Sequence, residues 1–116
     1  MTPKLNFIER QVFRLAFREF LSIIHMGCCP EDREHIKEAI RHARDKLVGP
    51  EQYEPQEAHF QAPPRIRLAI TELSIGLAQL LKRVYDNSRV CSEDIDELND
   101  MTLKIKGIKV ACGLPV

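Results

Sequence analysis

Apolar residues recur at helical spacing in four stretches of the chain, and the most regular is Ile66 to Tyr85. There Ile66, Ile70, Leu73, Leu77, Leu80 and Val84 alternate at four and three residues, the spacing of a helix with one continuous buried seam. Such a helix spans about 30 Å at the ordinary rise. Its regularity predicts the element around which the rest is organised. Leu68 and Ile75 fall on the opposite side, seven residues apart, beside Ala69 and Gly76, with Glu72 between them and Gln79 one turn beyond. Pro63-Pro64 opens this helix and Asp86-Asn87-Ser88 closes it.

The first stretch begins with an Asn6-x-x-Glu9 capping pattern and continues to about Met26. It is apolar around most of its circumference, with Val12, Phe13, Leu15, Ala16, Phe17, Phe20, Leu21, Ile23 and Ile24. Gln11, Arg14, Arg18, Ser22 and His25 form a polar strip. A helix of this kind must be covered on several sides. The second helix starts at Pro30, where the missing N–H costs nothing, and ends at Gly49-Pro50. Ile36, Ala39, Ile40, Ala43 and Leu47 give it a narrow stripe. Arg33, Lys37, Glu38, Arg41, His42 and Asp45 read as its outer face. The fourth helix is capped by Ser92, with Glu93 and Asp94 in its first turn. Its seam is Ile95, Leu98, Met101, Thr102 and Ile105, and Gly107 is expected to fray it.

Between the second and third helices, Glu51 to Pro64 shows neither helical nor strand periodicity. A connection this long in a small domain is functional or disordered, and it frees the two helices from being antiparallel neighbours. Tyr53 and Phe60 are its tacking points. The fold class is therefore all-α: a small four-helix bundle with a long proline-containing loop between helices 2 and 3, one domain over residues 1–116.

Composition narrows the function. The chain is 44% hydrophobic and 29% charged, an ordinary globular balance. Seventeen basic residues match seventeen acidic ones, so no global field draws in nucleic acid or an anionic membrane. The basic sets Lys104, Lys106, Lys109 and Arg65, Arg67, Lys82, Arg83 lie among acids, and no aromatic is interleaved with the tail lysines, which weighs against a nucleic-acid partner. No run is apolar enough to span a bilayer, and charges interrupt any leader-like core near the N-terminus. A cytoplasmic location with reduced thiols follows as an expectation.

Three constellations carry candidate chemistry. In an up-and-down bundle, the end of the first helix meets the start of the fourth, which would gather His25, Cys28, Cys29 and Cys91 as soft ligands for zinc, or pair Cys29 with Cys91. Packed small thiols at a helix turn are the competing reading. Arg18 and His25, separated by six residues, resemble at two positions the motif of HEPN-type ribonucleases, which are also small helical bundles. The resemblance implies a metal-independent ribonuclease or toxin-like protein. In it the arginine would hold a phosphate and the histidine move a 2′-hydroxyl proton. Here the residue after the arginine is Glu19, where that family more usually carries a small polar residue. The third constellation is a partner surface of Leu68, Glu72, Ile75 and Gln79, with Tyr53 and Phe60 from the loop.

No phosphate loop, nucleophile triad or metalloprotease motif is present, and no cofactor is called for. The sequence favours a non-enzymatic protein–protein interaction module, an adaptor, regulator or inhibitor working through helix faces as a homodimer or other homo-oligomer. The Arg18/His25 ribonuclease is the alternative.

Overall fold

The structure, a computed structural model, describes residues 3–27, 30–51 and 61–114. Four α-helices make up the bundle: α1 (Phe7–Ile23), α2 (Pro30–Leu47), α3 (Pro64–Asn87) and α4 (Ser92–Ala111), with a 3₁₀ turn, Ile24–Met26, extending α1. No strand occurs among the described residues.

The helix starts are chemically marked. The Asn6 side chain accepts from the Glu9 N–H at 2.8 Å while Glu9 accepts from the Asn6 N–H at 2.9 Å, a reciprocal box that satisfies two of the donors left at a helix start. Pro63 caps α3 and Pro64 fills its first position. At α4 the cap is Cys91 rather than Ser92: its sulfur accepts from the Asp94 N–H, and Asp94 accepts from the Cys91 N–H at 3.0 Å. Gly107 does not fray α4. The helix runs through it to Ala111, and the chain turns at Gly113 with a φ of +71°.

Side-chain contacts fix the direction of each helix. Arg14 on α1 donates to the Val48 carbonyl at 3.2 Å, and Arg14 and Arg18 both pair with Glu51, so α2 runs back along α1. Thr71 Oγ1 lies 2.8 Å from the Gly27 carbonyl, which puts the start of α3 at the end of α1. Arg83 reaches Asp94 and Glu97, and Gly76 faces Met101, so α3 and α4 form an antiparallel hairpin. α4 therefore returns to the end of α1, where Lys109 meets Glu19. The order is up, down, down, up, and the long connection after α2 makes it possible. α1 and α4 are parallel neighbours.

The organising element is α1, not α3. Phe13, Ala16, Phe17, Phe20, Ile23 and Ile24 are fully enclosed, because α2, α4 and the start of α3 close on α1 and its 3₁₀ turn. Burying a large apolar side chain of this kind is worth about 1.5–3 kcal/mol, and among the described residues α1 supplies more of the fully enclosed positions than any other helix. α3 contributes Ile70, Leu77, Leu80 and Val84 from one edge. Gly27 is needed where the two meet: a Cβ there would stand 2.6 Å from Ile70 Cγ2.

Burial corrects two polar assignments. Lys37, expected on the outer face of α2, is buried, and Arg44 is buried on the same helix. Lys109, one of the basic set read near the end of helix 4, is buried against Glu19. Patterning on a single helix does not reveal when a long side chain lies beneath a neighbouring element.

Candidate functional site

α2 and α3 run in the same direction without packing closely, and the opening between them is an apolar concavity. It holds about 330 Å³ and is lined by Ile36, Ala39 and Ile40 from α2 and by Thr71, Ser74, Ile75, Leu77, Ala78 and Leu81 from α3. Ile75 stands at its lip with 54% of its surface exposed, and Leu68 is 59% exposed two turns earlier.

The two hydroxyls in the cleft are already committed. Thr71 Oγ1 shares its proton between the carbonyls of Gly27 at 2.8 Å and Arg67 at 2.9 Å. Ser74 Oγ donates to the Ile70 carbonyl at 2.8 Å. Such back-bonding to a carbonyl four residues earlier removes the polar character of a helix face. The cleft therefore offers an occupant mainly hydrocarbon contact, with both hydroxyl protons already donated within α3 and its neighbour.

The expected surface residues divide between two faces. Leu68, Glu72, Ile75 and Gln79 are all exposed on α3. Ile75 belongs to the α2 side, whereas Glu72 lines a second groove toward α4, together with Ala69 and Gly76. Tyr53 and Phe60 lie outside the described residues. The α2 wall was missed by sequence reasoning, which assigned Ile36, Ala39 and Ile40 wholly to the core. The available signal was Leu81, which widens the apolar arc of α3 beyond its seam toward α2.

The thiol constellation separates in space, and the strip that carries Arg18 and His25 is interrupted. The guanidinium of Arg18 is turned to Glu51 at 3.3 Å. His25 lies beyond the last α-helical residue, half-buried in the 3₁₀ turn. The seven-residue step that aligns side chains on an unbroken α-helix is interrupted after Ile23. Cys91 precedes α4 at the end of the bundle where α3 finishes, and His25 sits where α3 begins. Thr71 and Arg83, which mark those two ends, are about 18 Å apart along the helix. Cys28 and Cys29 lie outside the described residues. Among the described residues no group of three or more His, Cys, Asp or Glu side chains is placed to hold a metal ion, and no helix is long and apolar enough to cross a membrane.

No family model, curated protein or solved structure matches this chain. Partial burial raises the Tyr85 phenol above its ordinary value, which keeps it neutral and leaves it a packing residue.

Proposed function

We propose that this protein is a non-enzymatic interaction module, an adaptor, regulator or inhibitor, that receives an apolar helix face of another protein along α3. The observation that carries the reading is the apolar α2–α3 cleft with Ile75 at its lip. A concavity whose hydroxyls are satisfied internally suits the hydrophobic stripe of an amphipathic helix, laid in with anchors three and four residues apart. Leu68 extends the same ridge, and exposed apolar residues grouped this way mark interaction sites. The reading includes self-association and a cytoplasmic setting, where free thiols persist.

The test compares capture from native cell extract by the wild type, Ile75→Lys and Leu68→Lys, with an amphipathic Leu-rich helical peptide as a direct probe of the cleft by NMR shift mapping. Both variants are expected to fold, since the replaced side chains are exposed, and Ile75→Lys should lose both the captured partner and the peptide shifts at Ile36, Ala39 and Ala78. Capture and shifts unchanged in both variants would remove α3 as the binding face. RNA incubated with the protein is expected to remain intact, and cleavage abolished by His25→Ala would replace this reading with catalysis.

A further inference from the structure

A second surface lies on α4, away from the α2–α3 cleft. Leu103 and Val110 are 66% and 65% exposed. With Asp96, Asn99, Asp100 and Gly107 they form an exposed strip at three- and four-residue spacing, the arrangement that presents one helix face to a neighbour. Nothing lies within 4 Å of where a Cβ on Gly107 would stand, so the strip is open between Leu103 and Val110. The adjoining groove toward α3, about 640 Å³, is bordered by Glu72, Asp100 and Lys104.

The charges on α4 decide what fits. Its acids, Glu93, Asp94, Asp96, Glu97 and Asp100, all precede Leu103, and its lysines, Lys104, Lys106 and Lys109, all follow. Asp94 and Lys109 are buried and already paired, and half-buried Glu97 is held by Arg83, which leaves Glu93, Asp96 and Asp100 exposed on one half, opposed by exposed Lys104 and half-buried Lys106 on the other. A helix with this segregation is complementary to a reversed copy of itself. Antiparallel pairing about Leu103 brings Asp96 and Asp100 of one molecule toward Lys104 and Lys106 of the second, twice by symmetry, with leucine on leucine at the centre. Parallel pairing would oppose like charges. The internal Asp100–Lys104 pair, 3.0 Å long and exposed at both ends, is cheap to exchange.

We infer that two copies of this chain associate through antiparallel α4 helices, with Leu103 on the two-fold axis and the acidic half of each helix against the basic half of the other. An isologous contact of this kind closes on itself, and it leaves the α2–α3 cleft of both copies free. The inference adds a surface to the reading above and rests only on its self-association clause.

Sedimentation equilibrium of the full chain over a concentration series tests it. The wild type should dimerise. Leu103→Glu should weaken the dimer by at least about tenfold, with a far-UV circular dichroism spectrum like the wild type's because Leu103 is exposed. Asp96→Lys/Asp100→Lys and Lys104→Glu/Lys106→Glu should each be monomeric alone and should form a heterodimer when mixed. Ile75→Lys should dimerise like the wild type while losing the α3 partner, which keeps the two surfaces distinguishable. A wild type that stays monomeric at every concentration, a dimer insensitive to Leu103→Glu, or one abolished by Ile75→Lys would overturn the α4 seam.

Discussion

Lys109 on α4 donates a 2.7 Å hydrogen bond to Glu19 on α1, ninety residues away in sequence, with both side chains nearly enclosed. Ser22 bonds the Glu19 carbonyl from the same turn. The pair sits where the two parallel helices end together and pins their register. Removing one partner strands the other as a buried charge, which costs more than the pair itself contributes. Glu19→Ala or Lys109→Ala should therefore each lower unfolding stability by about 3 kcal/mol, while Glu19→Met/Lys109→Leu together should stay near the wild type. Urea titration of the four proteins provides the comparison, and a double variant no better than the singles would show that the pair does not act as a unit.

The exposed Arg83–Glu97 pair offers the contrast. Both side chains are wet, so Glu97→Ala should cost at most about 1 kcal/mol and less in salt. Asp94 is different: it is buried, accepts from the Cys91 N–H and pairs with Arg83. Asp94→Ala should cost about 1–2 kcal/mol through the lost cap, whereas Ser92→Ala should be close to neutral. Thermal unfolding of the three variants separates the cap assigned here from the one the sequence suggests.

If α1 holds the core together, its phenylalanines must differ sharply in worth. Phe17 and Phe20 are fully enclosed and Phe7 is 75% exposed. Truncation to Ala should cost about 3–5 kcal/mol at Phe17 or Phe20 and within about 0.5 kcal/mol at Phe7. Equal costs would show that α1 is not the central helix.

The glycines sort by the space around them. Gly27→Ala forces a methyl against Ile70 and the Arg67 carbonyl, an overpacking worth about 1–3 kcal/mol of destabilisation. Gly107→Ala meets nothing and replaces a helix-interior glycine, so it should stabilise by about 0.5–1 kcal/mol. Midpoints shifting in opposite directions in the same denaturant assay would bear this out.

Much of the fold was readable because helix ends are local chemistry. Asn6 with Glu9, Pro30 and Pro63-Pro64 each mark a start that a few adjacent residues determine. The identity of the central helix was not readable in the same way. Periodicity reports one buried face and so singles out α3, which is covered mainly along an edge, whereas α1 has no clean stripe because it is covered almost everywhere. The exposure of Leu68 and Ile75 followed from their place opposite the seam. The cleft did not, since its α2 wall carries the same residue types as a core stripe and only the spacing between the two helices opens it. The Glu19–Lys109 pair was hidden for the plainest reason: nothing in either helix names the other.

Parallel pairing of α1 with α4 also bears on how the chain reaches its native state. Hairpins of adjacent helices form from nearby residues, and α3 with α4 is one of them. The α1–α4 contact instead closes a loop of nearly the whole described chain, whose entropic cost falls due before its contacts repay it. Until α4 has been synthesised, Phe17 and Phe20 lack one of their walls, so on the ribosome the greasiest helix is made first and sheltered last.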